Sequence, residues 1–455
     1  MKKNDDIILE ITALSGQGVG IGRYEGMAVF VDQTAVGDTV KAHIIKVKSN
    51  YSVGKLIEII NPSDSRKEVD CPAFSKCGGC SFRHIKYENE LEIKQNGVYD
   101  AMKRIGSIDM APNKITPSPC LTSYRNKAQY PIGMNEDGIF YGFYAKHSHR
   151  VIGSEGCMLQ PPIFENTMKA IKIWADKNSL TAYNETNGKG LLRHILLRFG
   201  EKTGELMVVV VINADSLPFA ESLTEILKEN LGNNLASLQY NVNKADTNVI
   251  LGDKTVLVYG NPYITDEICG VEVKISAASF YQVNRAAAEI LYKKAASYIE
   301  KGDKIIMDLF CGIGTIGLSV LNLCGRDDRS LIGVEIVPSA IENAKQNALN
   351  GGYKNTEFIL GDATKAAEQL RKRNITPDVI IVDPPRKGCD EKLLEIIAND
   401  FSPQKLIYIS CDPATLARDS KILSENNYSL EEYSPIDLFP GTAHVETVAL
   451  FTKGV

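Results

Sequence analysis

Lys304-Ile305-Ile306-Met307-Asp308-Leu309-Phe310-Cys311-Gly312-Ile313-Gly314-Thr315-Ile316-Gly317 decides the fold. An apolar run ends on Asp308-Leu309, glycines follow at G-x-G-x-x-G spacing, and a helical pattern over Thr315–Leu323 opens inside the last of them. Helix Asn284–Ile299 precedes this unit. After it the spacing predicts strand Ser330–Val334, helix Pro338–Asn350, strands Thr356–Leu360 and Val379–Val382, helix Glu391–Asn399, strand Lys405–Ile409, helix Pro413–Asn426 and a last run Thr447–Phe451. Such alternation builds an α/β unit, a mostly parallel sheet with helices on both faces.

Open sheets of this kind gather ligands at the carboxyl ends of their strands. Gly312 and Gly314 let the backbone approach a ligand, and Glu335, ending the next strand, suits ribose hydroxyls. NAD and S-adenosylmethionine both carry such an adenosine. Asp308 would repel a pyrophosphate and attract a sulfonium or ammonium, which favours S-adenosylmethionine. Two further aspartates end strands, Asp362 and Asp383. Pro384 and Pro385 hold Asp383 extended at the cleft, whereas Asp362 reads equally well as a helix N-cap. Cys411, in Ser410-Cys411-Asp412-Pro413, also ends a buried strand, either as a nucleophile or as a buried core thiol.

With 455 residues, 44% of them hydrophobic, the chain has room for two to four domains. Residues 7–60 read as short β-runs broken by glycine, an OB-like barrel in a domain over 1–61. Lys41, Lys46, Lys48 and Lys55 alternate there with apolar residues, which predicts a basic face that contacts RNA, or else an ordinary solvated one. An α+β middle domain is expected over 62–265, with a helix near 87–105 that packs on the catalytic domain, 266–455. No run of about 18 apolar residues and no signal-like N-terminus is present, so a cytoplasmic protein without membrane contact is expected, as a monomer. The net charge of −5 argues weakly against nucleic-acid binding but hides local patches.

Ten cysteines in a cytosolic chain point to reduced thiols serving metal or catalysis. Cys71, Cys77 and Cys80 have C-x5-C-x2-C spacing, with Cys157 far downstream and Cys120 as the other candidate for a fourth ligand. Four thiolates hold zinc or an iron-sulfur cluster.

Taken together, the chain resembles the RNA 5-methyluridine methyltransferases. The likeness rests on a TRAM-type barrel over Ile7–Ile60, the cysteine cluster, Phe280-Tyr281-Gln282-Val283-Asn284, Asp308-Leu309-Phe310-Cys311-Gly312, Asp383-Pro384-Pro385-Arg386, Ser410-Cys411-Asp412-Pro413 and His444-Val445-Glu446-Thr447. The resemblance implies a Rossmann-like methyltransferase domain in which Gln282, Phe310, Glu335 and Asp383 line the S-adenosylmethionine and substrate pocket. It also implies that Cys411 is the nucleophile, Glu446 the base, and Cys71, Cys77, Cys80 and Cys157 the ligands of a [4Fe-4S] cluster rather than zinc. Asp412 stands where some members have asparagine.

Carbon 5 of uracil is a poor nucleophile, and a thiolate adding to carbon 6 would activate it. A free thiol titrates near about 8.5, so the site is expected to ease its ionisation or move its proton during attack. A desolvated Glu446 would titrate high, matched to proton abstraction near neutrality. The uridine must leave its stack, and Arg125, Asn126 and Lys127, beside Tyr124 and Tyr130, suit the phosphates and bases of looped RNA. The expected substrate is 23S ribosomal RNA, with transfer RNA as the alternative. The rivals are an NAD-dependent oxidoreductase and a non-catalytic RNA-binding protein.

Overall fold

The computed structural model describes residues 1–454. Five strands, β1 (Asp6–Leu14), β2 (Gly20–Tyr24), β3 (Met27–Val31), β4 (Thr39–Val47) and β5 (Tyr51–Asn61), close a barrel in the order β1-β2-β3-β5-β4. Alternate residues fill it: Ile7, Leu9 and Ile11 from β1, Val29 and Val31 from β3, and Val40, Ala42 and Ile44 from β4. The alternation stops at a bulge after Ile44, and Ile45, Lys46, Val47 and Lys48 are all exposed. Lys46 and Lys48 therefore stand on a projecting strand end rather than on one basic face, and Lys41 is tied to Asp6 at 3.3 Å.

Helix α1 (Tyr87–Arg104) buries Val98 and Met102 in the core shared with the carboxyl-terminal sheet. A second sheet contains β6 (Lys127–Asn135), β7 (Gly138–Tyr144), β8 (Val151–Gly153), β9 (Leu192–Phe199), β10 (Leu206–Ile212), β11 (Leu235–Val242) and β12 (Lys254–Gly260), in the order β12-β11-β10-β9-β6-β7-β8. Helices α2 (Pro162–Lys177) and α3 (Ala220–Leu231) cover one face, where Phe164, Trp174, Leu223 and Leu227 pack on Tyr130, Ile195, Leu197 and Val208. On the other face Leu196, Met207 and Val209 meet the hairpin β13 (Tyr263–Ile268)–β14 (Val271–Ser276).

The carboxyl-terminal unit runs α4 (Arg285–Ala296), β15 (Ile305–Leu309), α5 (Thr315–Cys324), β16 (Ser330–Glu335), α6 (Pro338–Asn350), β17 (Thr356–Leu360), α7 (Ala363–Lys372), β18 (Val379–Val382), α8 (Glu391–Glu395), β19 (Lys405–Ser410), α9 (Pro413–Glu425), β20 (Tyr428–Ile436) and β21 (Glu446–Lys453). Its sheet order is β17-β16-β15-β18-β19-β21-β20. The first five strands are parallel, and β21 runs antiparallel between β19 and β20. Successive residues of the central strands feed opposite cores, Met307, Ile380 and Leu406 one and Ile306, Ile381 and Ile407 the other. Strand order reverses between β15 and β18, which opens a crevice at their carboxyl ends.

Strand β20 is absent from the expected pattern. Glu431, Glu432 and Pro435 obscure its alternation, but it lies at the sheet edge, where a proline lacking an N–H is tolerated and a register shift falls between Leu430 and Glu432. Helix α7 is likewise additional, and α8 ends early, widening to a π-helical turn over Ile396–Phe401.

Candidate active site

At the end of β15 the backbone N–H groups of Phe310 and Cys311 both donate to Val334 O at 2.9 Å. Phe310 then adopts φ 109°, left-handed for a bulky residue, a conformation that costs roughly 1–3 kcal/mol and clusters at ligand sites. Gly312 (φ 54°) and Gly314 (φ 83°) continue the turn. The turn aims Gly312 N at Glu335 Oε2, 3.1 Å away, while Glu335 Oε1 accepts from Val337 N at 2.9 Å. Glu335 is thus fixed at the rim with lone pairs to spare.

Asp308 lies behind this turn, fully buried. Its Oδ2 accepts from Gly317 N at 3.1 Å, and its Oδ1 has no partner. Burial, then the nearby Asp383 and Glu335, push its carboxyl up to about 7. Beyond the acids, Ile336 (63% exposed), Val337 and Leu360 present apolar surface at the ends of β16 and β17. That surface suits the flat face of an adenine, and sequence reasoning missed it; the only available signal was Ile336-Val337 directly after an acidic strand end. Asp362 caps α7, its Oδ1 accepting from Lys365 N at 3.2 Å.

Asp383 ends β18, and burial pushes it up to about 7. Strand register brings the next pair together: Ser410 of β19 pairs with Thr447 of β21, so Cys411 follows opposite Glu446. Cys411 is half-buried. Burial, then the Glu446 and Asp383 carboxyls, push its thiol up to about 12, and Arg386 works in the other direction. Glu446, 5% exposed, is also raised, by burial and then by Asp383, with Arg386 opposing. The free protein therefore holds a neutral thiol rather than a preformed thiolate. Asp308, Glu335, Asp383 and Glu446 are electrostatically coupled at the ends of adjoining strands, a set of acids that fits a positively charged adenosine ligand. Asp412 caps α9, accepting from Ala414 N and Thr415 N at 2.9 and 3.0 Å, a task asparagine performs equally.

The segment leading to Glu446 is clamped from three sides. Lys94 of α1, 3% exposed, lies 2.7 Å from both Glu90 and Asp437 and donates to Phe439 O. Gly441 N donates to Glu90, Tyr124 OH to Pro440 O and Asn284 to Leu438 O, while Ser81 N and Phe82 N converge on Gly441 O. His444 on this segment lies 3.4 Å from Arg386, and burial, then that cation, push its imidazole below the usual histidine range.

Gln282 is buried, and its backbone carbonyl accepts from Asn126 Nδ2 at 2.9 Å, so Asn126, 3% exposed, braces the junction between the second sheet and α4. Lys127 is half-buried and pushed down to about 8 by burial and by Arg198, with no acidic partner in reach among the described residues. Arg125 faces a cavity of about 70 Å³ that Cys71, Cys77, Cys80 and Cys157 line together. All four are free thiols, whereas Cys120 is exposed and outside the cavity. Among the described residues no three His, Cys, Asp or Glu side chains are grouped so as to hold a metal ion.

The model of the tRNA (uracil-5-)-methyltransferase family matches residues 86–454, and that of the TRAM domain matches residues 7–57. An uncharacterised RNA methyltransferase of Halalkalibacterium halodurans is 39% identical, over 99% of this chain and 97% of its own. Another, of Clostridium tetani, is 40% identical over the same shares. Among solved structures, the Pyrococcus abyssi tRNA (uracil-54, C5)-methyltransferase in complex with S-adenosyl-L-homocysteine superposes with a TM-score of 0.78 at 25% identity, covering 98% of this chain and 99% of that one.

Proposed function

The chain belongs to the tRNA (uracil-5-)-methyltransferase family and is an S-adenosylmethionine-dependent RNA methyltransferase; from that membership we propose that it methylates carbon 5 of a uridine in 23S ribosomal RNA through a covalent adduct on Cys411. The observation that carries the mechanism is the apposition of Cys411 and Glu446 across β19 and β21.

Cys411 Sγ gives its proton to solvent water and, as the thiolate, bonds to uracil carbon 6, while the electron pair of the 5,6 double bond moves toward carbon 5 and the carbon 4 oxygen. When bound, S-adenosylmethionine supplies an electrophilic methyl on positive sulfur, which carbon 5 takes up, releasing S-adenosylhomocysteine. Glu446, as carboxylate, then removes the carbon 5 proton, and the C6–S bond breaks to restore the double bond. Positive charge in the crevice lowers both Cys411 and Glu446 from their raised values, which ties their ionisation to an occupied site. Arg386 acts in the same direction.

Four soft thiols around one cavity suit an iron-sulfur cluster, with zinc as the alternative. Cys71, Cys77, Cys80 and Cys157 would hold it, and it would staple residues 71–80 to 157 while taking no part in methyl transfer. The ribosomal reading rests on the family resemblance of the barrel together with the four cysteines. Transfer RNA is the second reading, favoured by likeness to the Pyrococcus abyssi enzyme, which spans the same architecture. Among the described residues no helix is long and apolar enough to cross a membrane.

The test is transfer of labelled methyl to unmethylated 23S ribosomal and transfer RNA transcripts, followed by nucleoside analysis. Labelled 5-methyluridine in the ribosomal transcript supports the proposal. Label in transfer RNA alone overturns the substrate, and label in any other nucleoside overturns the chemistry.

A further inference from the structure

On the second sheet, away from the active-site crevice, a cavity of about 370 Å³ is walled by Tyr144, His149 and Arg150 around the β7–β8 turn, by Tyr183, and by Arg193 and His194 of β9. Its size is that of a small-ligand site. The Arg193 guanidinium lies 4.3 Å from the centre of the Tyr183 ring, and its Nη1 donates to Asn243 O and Ala245 O at 2.9 and 2.8 Å. Its Nε is buried without a partner. His194, 7% exposed, meets Tyr144 OH through Nε2 at 3.1 Å, and its Nδ1 is likewise buried and unpartnered. The rings of Tyr144 and His149 lie 5.5 Å apart, and His149 reaches Glu185 at 2.6 Å on the rim.

Both nitrogens are shielded from solvent, so what the cavity offers a ligand is the Tyr144 and Tyr183 rings, with Arg150 at its mouth. Aromatic faces beside Arg193, with Arg150 exposed at the mouth, suit a flat base that carries acceptor atoms and a phosphate. The second sheet links this cavity to the active site. On β6, Pro131 pairs with His194 and Lys127 pairs with Arg198, whose guanidinium donates to Ala277 O and Ser279 O just before Gln282. His194 and Arg198 are thus about 13 Å apart along β9. Lys127 and Gln129 are half-buried between these ends, while Ala128 and Tyr130 turn toward the α2/α3 core.

We infer that this cavity is an accessory nucleotide pocket, which takes an unstacked nucleotide of the same RNA strand whose uridine enters the Cys411 crevice. The inference rests on the RNA substrate proposed above. It also gives the thiol site a role toward RNA: Gly78 N donates to Tyr144 O at 3.0 Å, and Phe143, one residue before Tyr144, lines the thiol cavity. A group held by the four cysteines would brace the wall that carries Tyr144.

Filter binding of the full-length protein to labelled 23S ribosomal and transfer RNA transcripts tests it, with methyl transfer measured on the same preparations. The rim variant His149→Ala/Arg150→Gln changes only partly or fully exposed side chains, so it should keep the native melting temperature. It is expected to weaken binding of the preferred RNA at least fivefold and to raise the RNA KM in parallel, with kcat and S-adenosylmethionine affinity unchanged. Tyr183→Leu should act in the same direction, and Lys177→Gln, an equal loss of charge on α2, should change binding less than twofold. Rim-variant affinity within twofold of native overturns the pocket while native methyl transfer leaves the proposed function standing. Pocket-dependent RNA binding without methyl transfer supports the pocket and overturns the function, and absence of binding to either RNA overturns both.

Discussion

Cys411 and Glu446 each lie one position beyond the last pair of an antiparallel ladder, Ser410–Thr447, close enough that the Glu446 carboxyl raises the thiol. The two residues are 35 positions apart in the chain, joined through α9, β20 and the clamped 437–445 segment. Burial raises both, and positive charge in the crevice acts on both in the opposite direction.

Glu446→Gln keeps the shape of the site but removes the base for the last step. Methyl transfer should fall by roughly 10²–10⁴, while a methylated adduct between protein and RNA accumulates as a band stable in denaturing gels. Loss of turnover without that band would assign the step to another group.

The acids of the crevice set a pH dependence. Asp308 and Asp383 keep their protons up to about 7 in the folded chain but lose them near their ordinary 3.8 when unfolded. The folded state therefore binds more protons between those values, and the stability of the ligand-free protein should decline as pH rises from 4 to 7. Ionisation of the same acids favours a cation, so S-adenosylmethionine affinity should rise by roughly tenfold from about pH 6 to about pH 8, and S-adenosylhomocysteine affinity by less. Calorimetric titration of both ligands across that range checks the difference.

Lys94→Met leaves Glu90 and Asp437 buried without their shared cation, which should cost about 3–5 kcal/mol in denaturant unfolding. Because the same network clamps the segment that carries His444 and Glu446, the surviving folded protein should lose kcat more than RNA affinity. The double variant Lys94→Met/Asp437→Asn should regain part of the stability.

Gly314→Ala puts a side chain at φ 83°, a left-handed conformation that costs roughly 1–2 kcal/mol. Both the melting temperature and S-adenosylmethionine affinity should drop, whereas Gly361→Ala, where a Cβ meets nothing closer than 3.7 Å, should be mild in both assays.

The parallel half of the catalytic sheet was legible because its strands are buried on both faces and read as continuous apolar runs stopped by glycine, proline or aspartate, as at Ile380-Ile381-Val382-Asp383-Pro384. Strand β20 was not, since an edge strand can carry Glu431, Glu432 and Pro435. Asn126 and Lys94 have the composition of a surface, and only long-range packing turns one into a brace and the other into a buried ion. Ile336 escaped notice for the opposite reason: an exposed isoleucine carries no periodic signal.

The central claim is that Cys411 bonds to uracil carbon 6, and 5-fluorouridine in the RNA substrate tests it directly, because fluorine cannot leave as a proton does and the adduct is trapped after methyl transfer. Protein incubated with S-adenosylmethionine and the fluorinated transcript should yield a stable complex whose digested peptide carries methylated fluorouridine on Cys411. A trapped peptide that contains another cysteine, or methylation of the unmodified transcript by a Cys411→Ala protein, would contradict the account.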